Sequence, residues 1–187
     1  MLEYLDQLDR AVLLYLNGLH SDTMDEVMVF ISGKWSWLPL YVFIIGYTAL
    51  KYKKKSWIYI GAIFLTFVLT DVISSQVFKK GIKRFRPSHN VEITEQLHLP
   101  DGKGGKYGFF SSHAANTFGL AMFLCLLFYK ERRVWCLMLF WAFVVSYSRI
   151  YLGKHYPLDI LCGALFGVLM AIFVKRIIVD YLLKKLQ

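Results

Sequence analysis

The run Ser148-Arg149-Ile150-Tyr151-Leu152-Gly153-Lys154-His155-Tyr156-Pro157-Leu158-Asp159 brings an arginine, a histidine and a carboxylate into close succession. His155 and Asp159 stand at positions i and i+4, which on a helix stacks two side chains on one face. Pro157 between them is tolerated only in a helix's first turn, where its missing N–H leaves no hydrogen bond unmade. The pair is therefore expected at a helix start, where free N–H groups and the dipole favour an anion. A carboxylate bonded to one imidazole nitrogen fixes the tautomer and leaves the other as a nucleophile. Arg149 adds a planar fork suited to phosphate oxygens.

Two further clusters carry the same logic. Phe110-Ser111-Ser112-His113 offers hydroxyls, backbone N–H groups and a second imidazole, able to protonate a leaving oxygen near neutral pH. Lys79-Lys80-Gly81-Ile82-Lys83-Arg84-Phe85-Arg86-Pro87 supplies Lys79 and Arg86. Phosphoryl transfer needs chiefly positioning and charge stabilisation, so several fixed cations suit it without a metal. Lys83, Arg84 and Lys154 read equally as solvated charges or as steering groups for anionic headgroups. His20, His89 and His98 lack such company and read as surface residues. Asp71 lies inside an apolar run, where a carboxylate is a functional candidate by default; a bond to a neighbouring helix is the alternative preferred here. The glycine-rich stretch from Gly102 to Gly108 lacks the spacing of a nucleotide-binding loop.

These clusters must be held by apolar elements. The apolar fraction is 57%, above the roughly 45–50% of soluble domains, and it is concentrated in long runs. The expected fold is all-α: a polytopic membrane bundle of five to six transmembrane helices forming one domain over residues 1–187. Residues 1–20 place Leu5, Leu8, Val12, Leu16 and Leu19 on one stripe, with Asp6, Asp9, Arg10 and Asn17 as the polar positions. That segment reads as an amphipathic helix in the membrane interface, a partial sixth span being the alternative. Spans are expected up to Leu50, over Trp57–Phe78, Phe109–Tyr129, Val134–Tyr151 and Tyr156–Val174. Residues 79–108 form an outward-facing loop.

Charge sets the orientation. The 22 basic residues against 13 acidic ones could suggest nucleic acid, but Lys51, Lys53–Lys55, Lys130, Arg132, Arg133 and the tail's lysines sit at alternate span ends. That is the pattern of cytoplasmic loops, which argues against a nucleic-acid partner. Residues 79–108 and 149–156 then share the opposite, periplasmic or extracellular face of the cell membrane. Their cations break the positive-inside rule, which gives them anionic work to do. Cys125, Cys136 and Cys162 lie in apolar runs without zinc-ligand spacing and read as small buried hydrophobes. Met1-Leu2-Glu3 lacks the basic start of a cleavable leader, so the spans are expected to direct insertion.

Lys79-x6-Arg86-Pro87, Ser111-x-His113 and Ser148-Arg149-x5-His155-x3-Asp159 occur in that order, and together they resemble the type 2 phosphatidic acid phosphatase family. The resemblance runs from Lys79 to Asp159, with the flanking spans fitting the membrane branch. It implies that His155 attacks phosphorus to give a phosphohistidine while Asp159 orients it. His113 would protonate the leaving group and then activate water. Lys79, Arg86, Ser111 and Arg149 would bind the phosphate oxygens together with the Ser112 amide. No metal or cofactor and no protein partner is implied; the substrate would be a lipid phosphate, such as undecaprenyl diphosphate, phosphatidylglycerol phosphate, phosphatidate or lipid A 1-phosphate. Transfer of phosphate to another lipid, or lipid binding without turnover, are the competing expectations. One departure stands out: Phe110 and Ser112 occupy places where the family usually has Pro and Gly.

Overall fold

The apolar runs all fold as helices, and no strand occurs among the described residues of the computed structural model, 1–185. In chain order these are α1 (Leu2–Gly18), α2 (Asp22–Ser32), α3 (Leu38–Tyr52), α4 (Ser56–Val72), α5 (Lys79–Ile82), α6 (Ser112–Leu127), α7 (Arg132–Tyr151), α8 (Pro157–Phe173) and α9 (Asp180–Lys185). A π-helical turn over Ile73–Phe78 joins α4 to α5, and another over Val174–Val179 joins α8 to α9. Three helical runs are long and apolar enough to cross a membrane: Trp35–Ile82, Arg132–Tyr151 and Pro157–Lys185. The first folds back on itself at Lys53, where φ is +47°, so α3 and α4 pack side by side.

The bundle is organised around α6, which packs against α4, α7 and α8. Being ringed by helices explains its lack of an amphipathic stripe: Ala114, Ala115, Ala121, Phe123 and Cys125 are all fully buried. Its closest neighbour is α8, approached through small residues. A Cβ at Gly163 would come within 2.5 Å of the Ser111 carbonyl oxygen, and one at Gly167 within 2.2 Å of the Ala115 carbonyl oxygen. In lipid, where apolar surface alone does not drive helices together, this close backbone approach supplies the packing. Further along, Ile44, Ile58, Tyr59, Leu124, Leu127, Phe128, Ala171, Val174 and Val179 form an apolar core with Phe123.

Helix starts differ from the sequence reading where caps intervene. The span expected from Phe109 begins at Ser112, because Ser111 caps it: the Ser111 hydroxyl accepts the Ala114 N–H at 3.4 Å, and the Ser111 N–H donates to the Asp159 carbonyl at 3.0 Å.

The N-terminal helix keeps most of its apolar stripe exposed and buries the opposite face. Its inward face is Asp9, Leu13 and Asn17, all buried, while Leu5, Leu8, Val12 and Leu19 are exposed. Two of the polar positions, Asp9 and Asn17, therefore turn into the protein. Asn17 donates to the carbonyls of Tyr151 (2.5 Å) and His98 (2.9 Å) and accepts the His98 N–H at 2.9 Å. His98 is accordingly no isolated surface residue. Its Nε2 lies 2.6 Å from Asp25 Oδ2, and its ring stacks on His20 at 3.7 Å.

The connection over 83–111 doubles back: Arg86 N–H donates to the Lys106 carbonyl at 3.0 Å and Gly108 N–H to the Arg84 carbonyl at 2.9 Å. Lys154, almost fully buried, pins the tip by donating to the carbonyls of Asp101 (2.5 Å) and Gly102 (2.6 Å). Its charge is thus used internally rather than solvated.

Candidate active site

Pro157 opens α8, as the sequence requires, with Tyr156 as its cap and Asp159 in its first turn. Asp159 Oδ2 accepts the Tyr156 N–H at 3.1 Å. His155, however, precedes the helix, so helical stacking is not what joins it to Asp159. It sits on a tight turn after α7, enabled by Gly153 at φ +63°, with its N–H directed at the Arg149 carbonyl at 3.3 Å. The turn brings His155 Nδ1 to 3.5 Å from Asp159 Oδ2. That contact is longer than a full hydrogen bond, and Nδ1 has no other partner among the described residues.

Both side chains are buried, His155 at 1% exposure and Asp159 at 0%. Burial, reinforced by the charges of Arg86, Arg149 and Lys79, holds the His155 pKa well below the usual imidazole range. The ring is therefore neutral at physiological pH, with a lone pair available for attack. Gly108 makes room for the pair: a Cβ there would meet Arg86 Cγ at 2.9 Å, Asp159 Oδ2 at 3.3 Å and His155 Nδ1 at 3.5 Å.

The cations arrive from three elements. Lys79, just past the π-helical turn, donates to Ser112 Oγ at 2.7 Å, and Ser112 Oγ is in turn 2.7 Å from Ser74 Oγ. Arg86 is fixed through Nε to the Tyr107 carbonyl at 3.2 Å. Arg149, on the last turn of α7, is buried; its Nη1 contacts Ser32 Oγ, and its Nε has no partner among the described residues. A buried guanidinium with an unmet donor is primed for an anion. His113, one residue into α6, is close enough to Arg149, His155 and Lys79 for their charges to act on its ring. The structure thus gathers all eight sequence-predicted residues at one end of the bundle: His113, His155, Asp159, Lys79, Arg86, Ser111, Ser112 and Arg149.

A cavity of about 500 Å³ meets this cluster. Lys79, Arg86, Ser112 and His113 form part of its wall, whereas His155 and Arg149 do not. The cavity runs on between α2, α3, α4 and α6, past Ser32, Lys34, Asp71 and Asn116. Asp71 Oδ1 accepts from Asn116 Nδ2 at 3.0 Å, and Asn116 Oδ1 accepts from Thr70 Oγ1 at 2.7 Å. Asp71 therefore both ties α4 to α6 and faces the cavity.

Sequence reasoning missed Lys34, whose charge also acts on His113. Arg84 was left open; it proves internal, with Nη1 on Asp159 Oδ1 at 2.8 Å and Nη2 on Asp9 Oδ2 at 2.8 Å. Spacing could not have paired Asp9 with Arg84 across that stretch of chain, though a carboxylate on an otherwise amphipathic helix was a visible signal.

A family model described as the PAP2 superfamily matches residues 37–182. Lipid A 4'-phosphatase from Bacteroides thetaiotaomicron is 40% identical over 89% of this chain and 75% of its own length. The protein of the same name from Porphyromonas gingivalis is 34% identical over 94% and 75%. An undecaprenyl-diphosphatase from Sulfolobus acidocaldarius is 30% identical over 78% and 66%. Among solved structures, Aquifex aeolicus LpxE superposes with a TM-score of 0.72 at 22% identity, covering 90% of this chain and 95% of that one. A PAP2-type phosphatidylglycerolphosphate phosphatase from Bacillus subtilis gives 0.73 at 22%, covering 92% and 85%.

Proposed function

The chain belongs to the PAP2 superfamily, and on that premise we propose that this membrane lipid phosphatase removes a phosphomonoester from a saccharolipid through a phosphohistidine. The observation that carries the reading is the convergence of a neutral, buried His155 and a second imidazole, His113, among Lys79, Arg86 and Arg149. His155 attacks phosphorus; an N–P bond forms while the P–O bond to the lipid breaks. With the phosphate's negative charge beside it, His113 takes up a proton from solvent, gives it to the departing oxygen and then takes one from water. The water oxygen displaces His155, releasing inorganic phosphate. Lys79, Arg86 and Arg149 neutralise the phosphoryl oxygens, with the Ser111 hydroxyl and Ser112 amide beside them. Asp159 holds the His155 ring and supports the positive charge it acquires. None of these steps calls on a metal.

Two observations favour a sugar headgroup. Two relatives that match most of this chain, at 40% and 34% identity, are named for lipid A. The cavity also extends well past the cations to Asp71 and Asn116, which suit hydroxyl and amide groups that a bare prenyl chain lacks. A lipid diphosphate is the second reading, supported by Lys34, a further cation near His113 that would suit a leaving phosphate. The basic span ends carrying Lys51, Lys53–Lys55, Arg132 and Arg133 belong on the cytoplasmic side, which puts the site on the opposite face.

Purified protein in EDTA, offered lipid A, undecaprenyl diphosphate, phosphatidylglycerol phosphate and phosphatidate, should release phosphate fastest from lipid A. With [32P]lipid A, an acid-labile, base-stable label should appear on the protein, and His155→Ala should show neither label nor turnover. Normal turnover by His155→Ala removes the nucleophile from this reading, and faster release from undecaprenyl diphosphate selects the second one. Label moving to an added lipid rather than to water marks a phosphotransferase.

A further inference from the structure

We propose that Asp9, on the N-terminal helix, is a positioning residue of the active site, acting through Arg84 to hold Asp159 against His155. The proposal rests on the phosphohistidine reading above. Its ground is a chain of contacts between segments remote in sequence, two hydrogen bonds and one longer approach. Asp9 Oδ2 accepts from Arg84 Nη2 at 2.8 Å; Arg84 Nη1 donates to Asp159 Oδ1 at 2.8 Å; Asp159 Oδ2 stands 3.5 Å from His155 Nδ1. The second oxygen of Asp9 accepts the Leu158 N–H at 2.8 Å, on the first turn of α8 beside Asp159. One carboxylate thus grips both the arginine that holds Asp159 and the backbone that carries it.

Arg84 is braced on its other sides. Its guanidinium lies 4.1 Å above the Tyr156 ring, and Asp6 Oδ1 is 3.2 Å from Nη2. Burial works against its charge, but Asp159 and Asp9 outweigh that and hold its pKa above the ordinary arginine value. A lysine would serve poorly here, because the rigid planar fork holds Asp159 on one Nη and Asp9 on the other at fixed geometry.

Asp9 is itself 3% exposed, an unusual place for a charge on a helix whose outer face is apolar. Burial, the largest influence on it, raises its pKa despite the Arg84 and Leu158 hydrogen bonds. Ionised Asp9 is thus disfavoured by folding, which fits a residue retained for alignment rather than for stability. The helix bearing it lies outside residues 37–182, the stretch matched by the family model. Asn17, two turns further along the same face, clamps the helix to Tyr151 and His98 and keeps Asp9 in register.

The test uses the full chain in detergent with [32P]lipid A. Asp9→Asn removes the charge and keeps one acceptor; loosening Asp159 should lower kcat roughly 100-fold. KM should stay within about threefold, because Asp9 touches no substrate. The rate of label appearance on the protein should fall with kcat, and the thermal midpoint should not. Asp9→Glu should recover part of kcat. Arg84→Lys should reproduce the loss, and the double variant Asp9→Asn/Arg84→Lys should be no slower than the slower single one, since both act through one chain. If Asp9→Asn does not fold, Arg84→Lys under the same readouts decides. A kcat within twofold of the parent, a rise in KM alone, or additive losses in the double variant would overturn the relay. An active His155→Ala in the same preparation overturns the nucleophile assignment instead, which keeps the two failures apart.

Discussion

The two ends of this bundle are held by different physics. At the end carrying Lys51 and Glu131, order comes from packing: Ile44, Tyr59, Phe123, Leu124, Phe128, Val174 and Val179 form one apolar core, with the Lys51–Glu131 and Lys175–Asp180 ion pairs at its margin. At the other end, remote segments are joined by directed polar contacts. Asp9, Arg84 and Asp159 form one chain, Lys79, Ser112 and Ser74 a second, and Asn17, Tyr151 and His98 a third. Packing tolerates a shape-conserving swap, whereas a directed contact fails when one atom is lost. Stability and chemistry should therefore be separable by position.

The sharpest separation is expected at His113. His113→Gln removes the proposed proton donor and keeps a side chain of similar reach, so kcat should fall by about 10²–10⁴-fold with little change in thermal midpoint. An aryl phosphate, whose leaving group needs no acid, should still give a burst of about one phenolate per enzyme before stalling at hydrolysis. Expressed per dianionic aryl phosphate, whose own second proton titrates at about pH 6, the burst rate should be flat over roughly pH 5.5–7.5, because the depressed pKa of His155 keeps its ring neutral well below the ordinary histidine range. A burst rate that falls on acidification through that window would place the His155 titration near its ordinary value and break the electrostatic account of the site.

The opposite end should invert the result. Phe123 is fully buried in α6 among Tyr59, Leu124 and Val174. Phe123→Ala should cost roughly 2–4 kcal/mol: the cavity and lost contacts remain in full, but part of the transfer contribution is absent in lipid. Specific activity of the folded fraction should match the parent. A drop in kcat that outlasts correction for folded protein would show that the core transmits to the site, and the two ends would no longer be separable.

The same contrast explains what could be read in advance. Apolar runs and basic span ends are local patterns, so the all-helical fold and the helix start at Pro157 were legible, whereas α2 was not. The candidate site residues could be named because their types and spacing carry chemistry by themselves, and the structure brings them to one end of the bundle. The inward face of α1 was not legible, since an apolar stripe reads as buried in water and as exposed in lipid; Asp9 and Asn17 turn inward because Arg84, Leu158, Tyr151 and His98 await them there. Arg84 and Lys154 were ambiguous for a related reason. A buried cation is told from a solvated one by its partners, and those lie on distant segments: Asp9 and Asp159 for the first, Asp101 and Gly102 for the second.

Ser112 sharpens the comparison with the smallest change. It stands where the resembling family usually has glycine, and its hydroxyl does not narrow the site idly: it takes one of the three Lys79 donors and is itself braced by Ser74. Two donors remain for phosphate, and the ammonium is held at the cavity wall instead of sampling solvent. Ser112→Gly keeps the charge and the backbone N–H but releases that hold. Losing one charge-assisted contact of about 1 kcal/mol should raise KM roughly fivefold and leave kcat within about twofold, with a small loss in thermal midpoint from glycine at a helix start. Substrates with bulkier headgroups should gain relative to compact ones, because the hydroxymethyl no longer occupies the wall. If KM instead falls for every substrate, the hydroxyl competes with phosphate for Lys79, and the polar contacts at this end include one that opposes binding.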